Sequence, residues 1–180
     1  MKRLLAAVAL SAVLATPAFA MLQPGAKAPD IVSTAFLAGK GTPFKLSDQL
    51  KKGPVVLYFF PSAYTDGCTI EAHEFAEATA DFKAMGATVI GVTAGQTARL
   101  ADFSKEHCRD KFAVAAVSLD TIKAYDAALS IKPGLSERTS YVIAPDGKVI
   151  FSYSNLTNPT EHITRTKAAV KAWRAAHPKR

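Results

Sequence analysis

The chain has 180 residues, a formal net charge of +7, 49% hydrophobic residues and two cysteines. That length suits one domain able to bury a core. The charge is scattered and gathers only at Lys171-Ala-Trp-Arg-Ala-Ala-His-Pro-Lys-Arg180. Cations there suit a solvated helix C-terminus, and no basic-aromatic pattern accompanies them, which argues against a nucleic-acid partner. The cysteines, at 68 and 108, form no C-x-x-C and stand at no zinc-finger spacing with histidine, which argues against a dithiol redox motif and a structural zinc.

Residues 1–20 have the pattern of a cleaved signal peptide. Lys2-Arg3 is the positive start, Leu4 to Leu14 the apolar centre, and Ala18-Phe19-Ala20 the cleavage motif. The apolar run is short for a membrane anchor, and no cysteine follows the cleavage site to carry a lipid. An exported, periplasmic bacterial protein without stable membrane association is expected, its mature domain running from 21 to 180 as one unit.

The domain begins extended, punctuated at Pro24-Gly25 and Ala28-Pro29. Ile31-Val32 suggests a short strand, Gly39-Lys-Gly41 a turn, and Phe44-Lys-Leu46 the returning strand. Ser47 is placed to cap a short helix through Leu50. The stretch Val55-Val-Leu-Tyr-Phe-Phe60 has six consecutive apolar residues, the mark of a strand buried on both faces. Pro61 ends it, and Asp66-Gly67 signals a turn. From Thr69 the spacing of Ile70, Phe75, Ala78 and Phe82 predicts a helix to about Met85, closed by Gly86. Ala87 to Thr93 is a second buried strand. Thr97 is expected to cap a helix to about Cys108, Phe112 to Leu119 reads as a strand, and Asp120-Thr121 opens a helix to about Leu129. Thr139 to Ala144 and Lys148 to Tyr153 form a hairpin around Pro145-Asp-Gly147. Asn158-Pro159 is a good N-cap and first residue for the last helix. Alternating strands and helices followed by a hairpin predict a three-layer α/β domain with a central mixed sheet flanked by helices.

Cys68 falls where a loop delivers the chain into the first turn of a helix. Free backbone N–H groups and the positive end of the macrodipole favour a thiolate there, and the thiolate is the nucleophilic form. The spaced Pro61-x-x-x-Thr65-x-x-Cys68 resembles the active-site signature of the peroxiredoxins. Val55–Thr69, Gly86-Ala-Thr-Val-Ile-Gly-Val-Thr93 and Arg138-Thr-Ser-Tyr-Val-Ile-Ala-Pro-Asp-Gly147 are similar to the bacterioferritin-comigratory (PrxQ-like) branch of that AhpC/TSA superfamily. The resemblance runs from about Gly25 to the C-terminus. Asp66 departs from it, standing where the branch often has proline. A carboxylate there raises the pKa of the thiol if the two are close; otherwise it points to solvent or caps the helix.

The resemblance implies a thioredoxin-like fold in the order β-α-β-α-β-β-α and a thiol peroxidase that needs no cofactor or metal. Cys68 would attack a peroxide and become a sulfenic acid. The Thr65 hydroxyl, the Cys68 N–H and the Arg138 guanidinium would stabilise charge on the departing oxygen, with Pro61 shielding the site. Hydrogen peroxide and organic hydroperoxides are the implied substrates, and a thioredoxin-like protein or small thiol the reductant. The oligomeric expectation is a monomer or weak dimer.

The branch often carries its second cysteine five residues after the first, where this chain has His73. A variant places it in the helix after the next strand, near Ser104 here. Cys108, one helical turn beyond, is then either the resolving cysteine or a bystander beside an external thiol. The two sulfurs are expected to be out of bonding range in the reduced fold, so bonding requires local unwinding. Two other functions stay open: a thioredoxin-type thiol-disulfide oxidoreductase, which lacks a close cysteine pair, and a metal-binding protein on the same fold, for which Cys68 with His73 or His107 would have to serve. Otherwise His73, His107, His162 and His177 are expected to be structural or solvated.

Overall fold

The computed structural model describes residues 21–178, so the segment 1–20, read above as a signal peptide, lies outside the described residues. The first hairpin pairs β1 (Val32–Leu37) with β2 (Lys40–Lys45) and leads into α1 (Leu46–Leu50). The strand-helix alternation follows: β3 (Val55–Phe59), α2 (Asp66–Ala84), β4 (Thr88–Thr93), α3 (Leu100–Glu106), β5 (Ala113–Ala116) and α4 (Leu119–Ala124). The hairpin β6 (Thr139–Ile143) and β7 (Val149–Ser154) precedes the last helix, α5 (Pro159–Ala176). The seven strands form one mixed sheet in the order β2-β1-β5-β4-β3-β6-β7. Only β3, β4 and β5 run parallel, and they occupy its centre.

The apolar run predicted as a central strand is β3, and all five of its residues are buried. Its period of two splits the core. Val56, Tyr58 and the following Phe60 join one cluster with α2, α3 and α5, while Val55, Leu57 and Phe59 join another with α1 and α4. The layers are therefore helix, sheet, helix, as expected for a thioredoxin-like fold.

Local boundaries move where tertiary contacts outweigh the residue signals. α2 starts at Asp66, not Thr69, because Asp66-Gly67 enters the helix, and the acid suits the positive end of the dipole. Gly86 closes that helix in the left-handed region, at φ 72°. Ser47 does not cap α1; its hydroxyl donates to the Asp30 carboxylate at 2.9 Å, and that carboxylate also takes its N–H at 2.9 Å. Leu46, expected to end the returning strand, is the first residue of that helix, and the hairpin turns at Ala38-Gly39, both at positive φ. Thr97 opens a 3₁₀ turn instead of capping the helix, and α3 ends at Glu106. Cys108 thus lies past the helix, ahead of Arg109 and Asp110 at φ 52° and 57°. α4 opens at Leu119, one residue before the expected Asp120-Thr121, with Ser118 as its cap accepting from the Thr121 N–H at 3.1 Å, and it ends at Ala124 instead of near Leu129. Asn158 and Pro159 open α5 as expected.

Candidate active site

The site forms where the β3–α2 loop, the start of α2 and the start of β6 meet. The loop is pinned to the end of β4. The Phe60 N–H donates to the Val92 carbonyl at 3.1 Å, the Ala63 N–H to the Gly95 carbonyl at 3.3 Å, and the Thr93 hydroxyl to the Pro61 carbonyl at 3.2 Å. Tyr64, at φ 62°, then turns the chain into the helix. The bond from the Thr69 N–H to the Thr65 carbonyl, at 2.9 Å, closes the first helical turn. The N–H groups of Asp66, Gly67 and Cys68 precede it and have no carbonyl four residues back within the helix.

Cys68 is the third residue of α2 and is 1% exposed. Arg138 Nη2 lies 3.8 Å from its Sγ. A guanidinium cannot be deprotonated in a protein, so a permanent positive charge faces the sulfur. Arg138 is itself 4% exposed and is held on its other donors. Nε donates to the Leu156 carbonyl at 3.2 Å, and Nη1 forms an ion pair with Glu71 Oε2. Gly67 makes the approach possible, because a Cβ there would stand 2.9 Å from Nη2.

Glu71 follows Cys68 by three residues, which places both side chains on one face of α2. Its carboxyl is completely buried, and burial pushes it up to about 8 against the pull of Arg138. Protonation of Glu71 would leave the thiolate as the anion facing the guanidinium. Behind Glu71 stands His162, with Nδ1 3.9 Å from Oε1. His162 Nε2 is 3.0 Å from the Asn155 carbonyl, which can only accept, so Nε2 carries the proton. Nδ1 then accepts from the Ser140 hydroxyl at 2.9 Å. Burial lowers this histidine to about 4, so the ring is neutral at physiological pH.

Sequence reasoning named Cys68 and Arg138, and the fold brings them together across 70 positions. Pro61 is half-buried in the loop between β3 and α2. Thr65 is exposed, and its hydroxyl donates to the Ser62 carbonyl at 3.1 Å, which leaves its lone pairs to accept. Asp66 does not cap α2; it is exposed, and Thr65 is the N-cap residue. Cys108 is fully buried, and both cysteines are free. Burial pushes its thiol well above the ordinary range. It shares a core cluster with Cys68, but not by the expected route of one further turn on the same helical face, since α3 ends before it. Ser104, the aligned alternative, is committed elsewhere: it accepts from the Gly39 N–H at 2.9 Å and donates to the Ala101 carbonyl at 2.7 Å.

Glu71, Gly67 and the bonding role of His162 escaped sequence reasoning. The available signal was an ionisable residue one turn after Cys68 on a face otherwise filled by Ala72, Phe75, Ala76 and Phe82. His73 and His107 approach with ring centroids 5.6 Å apart. Among the described residues no group of three or more His, Cys, Asp or Glu side chains could hold a metal ion.

A buried thiol facing an anchored guanidinium, at the first turn of a helix on a thioredoxin-like sheet, defines a thiol-dependent peroxidase. The AhpC/TSA family model matches residues 24–152, and the chain belongs to that family. It is similar to the chloroplastic peroxiredoxin Q of Oryza sativa subsp. japonica, at 31% identity over 161 residues covering 84% of this chain and 74% of the relative. The chloroplastic peroxiredoxin Q of Sedum lineare is 30% identical over 127 residues, 71% of this chain and 68% of the relative. Among solved structures, peroxidoxin BcpB from Mycobacterium tuberculosis superposes with a TM-score of 0.74 at 28% identity, covering 84% of this chain and 97% of that one. Family membership favours the peroxidase over the oxidoreductase and metal-binding alternatives.

Proposed function

We propose that this peroxidase reduces hydrogen peroxide and organic hydroperoxides at Cys68, through a Cys68 sulfenic acid that Cys108 resolves. The observation that carries the reading is the 3.8 Å approach of Arg138 Nη2 to Cys68 Sγ, with the guanidinium held by Glu71 and the Leu156 carbonyl. The Cys68 thiolate attacks one peroxide oxygen, an S–O bond forms as the O–O bond breaks, and the leaving hydroxide or alkoxide takes up a proton. Arg138 and the free N–H groups of the first helical turn face the developing negative charge, and Thr65 accepts from the substrate hydroxyl. A largely apolar groove of about 530 Å³ beside Pro61 and Thr65, walled by Leu129, Leu135 and Leu156, supports organic hydroperoxides as substrates.

Cys108 sits in a chain reversal rather than inside a helix, and Cys68 in a first turn. Both are places where local opening costs little. The disulfide would be returned to thiols by an external thiol, a thioredoxin-like protein or a small thiol, as in the family. We propose export to the periplasm on the strength of the residue 1–20 pattern, and a monomer or weak dimer in solution.

Intact-mass measurement after one equivalent of peroxide tests the site. A loss of two hydrogens with a Cys68–Cys108 cross-linked peptide is expected, and Cys108→Ser should accumulate sulfenic or sulfinic acid. A stable Cys68 sulfenic acid in the native protein, with Cys108 still alkylatable, would make this a one-cysteine enzyme.

A further inference from the structure

Tyr58 carries a hydroxyl that the fold leaves without a partner. The residue is fully buried in β3, and among the described residues its hydroxyl oxygen has no hydrogen bond. Its ring stacks on Phe75 of α2 with centroids 4.4 Å apart, and meets Phe112, four residues beyond Cys108, at 5.9 Å. A phenylalanine would fill the same volume and avoid the cost of a desolvated, unpaired donor. The neighbouring strand makes specific room for the oxygen: a Cβ on Gly91 would stand 2.7 Å from it.

Both cysteines lie in the core cluster that holds Tyr58. The hydroxyl is within electrostatic reach of Cys108, Glu71 and Cys68, in that order of influence, and of Arg138. Burial first, then Cys108, Glu71 and Cys68, push its own ionisation far above neutrality against the opposing pull of Arg138, so it remains a donor at any working pH.

We propose that the Tyr58 hydroxyl donates a hydrogen bond to the Cys108 sulfur as that sulfur turns toward the Cys68 sulfenic acid. The proposal rests on the resolving role of Cys108 given above. In that step the Cys108 S–H gives up its proton and its sulfur attacks the Cys68 sulfur. The S–S bond forms as the S–O bond breaks, and the leaving hydroxide takes the proton and departs as water. The Cys108 sulfur is oxidised and the sulfenic sulfur reduced to the disulfide level, with no further oxidant. Burial opposes loss of the Cys108 proton, so a fixed donor is of use at that moment. The orphaned hydroxyl gains in the reacting state the partner it lacks in the reduced state.

The test uses the reduced mature protein, mixed with one equivalent of hydrogen peroxide and quenched over time with a sulfenic-acid trap and an alkylating agent. In Tyr58→Phe, Cys68 should oxidise at the native rate, while disulfide formation slows about ten-fold, as for loss of a hydrogen bond to a charged group. Excess peroxide should then give more sulfinic acid. A donor restored as 3-fluorotyrosine at position 58 should recover the step. Thermal unfolding of Tyr58→Phe should be unchanged or higher, whereas a purely structural role would lower it and slow both steps together. Disulfide formation at the native rate in Tyr58→Phe, or equal slowing of both steps, overturns the role of Tyr58 alone. A Cys108→Ser sulfenic acid that lives no longer than the native one overturns the resolving role of Cys108, and this proposal with it.

Discussion

Gly67→Ala separates the position of the Arg138 charge from its presence. Gly67 is the second residue of α2 and has no positive φ, so alanine suits the local backbone. Its Cβ, however, would stand 2.9 Å from Arg138 Nη2 and 3.8 Å from Cζ. The guanidinium must withdraw, although Glu71 and the Leu156 carbonyl tether it. At 3.8 Å the attraction between the guanidinium and a full negative charge developing at the reacting atoms is about 4.4 kcal/mol for an effective dielectric constant of 20. A withdrawal of about 1 Å reduces that to about 3.5 kcal/mol, roughly a five-fold loss in rate before the directed hydrogen bond is counted. The expected result is a peroxide reaction about five- to thirty-fold slower in protein that circular dichroism shows to be folded. Rapid-quench alkylation of Cys68 followed by mass spectrometry measures the rate. Tryptophan fluorescence is a poor reporter, since the single tryptophan, Trp173, stacks on His177 at the far end of α5. A native oxidation rate in a fully folded Gly67→Ala would refute the dependence on guanidinium placement.

Three further outcomes follow from the same geometry. Cys68→Ser should abolish peroxide turnover with the fold retained, and turnover near the native level would remove Cys68 as nucleophile. Arg138→Ala should slow Cys68 oxidation by roughly 10²–10³-fold, with Arg138→Lys recovering little because a point charge cannot reproduce the directed fork; the pair is best measured in Glu71→Gln background as well, which spares the protein an unpaired buried carboxylate, and a rate within two-fold of native would place the arginine outside the chemistry. His162 is neutral in the folded protein, lowered to about 4 from an ordinary 6.5 by burial, so unfolding takes up a proton between those values and stability falls as pH drops through that window. Between pH 7 and pH 5 the native protein should lose about 2 kcal/mol more than His162→Gln in urea titrations, and parallel losses would contradict the assigned burial.

Much of this molecule is written in local patterns. Six apolar residues from Val55 can only be satisfied between two helical layers, and Pro61 ends the strand because it has no N–H to continue the ladder. The helical spacing after Cys68 is equally local, so the placement of that cysteine in a first turn was legible before any tertiary contact was known. Asn158-Pro159 likewise announced α5, since a cap and a fixed φ act within one turn.

Other features depend on what long-range packing brings alongside, and residue type alone does not carry that information. Glu71 looks like an ordinary helical acid until β6 delivers Arg138 to it, and Gly67 looks like half of a turn until the same guanidinium occupies the space of its missing Cβ. The end of α3 shows the same dependence. Its residues favour a longer helix, but the chain must reverse at Arg109-Asp110 to enter β5, and Cys108 leaves the helical face assigned to it. Sequence by itself therefore determined the strand, the loop and the place of Cys68 at the start of α2, whose causes lie within a turn of one another. Tertiary structure alone decided the guanidinium's anchors, the neutral histidine behind them and the unpartnered hydroxyl of Tyr58, because each is set by burial against elements up to about ninety residues away.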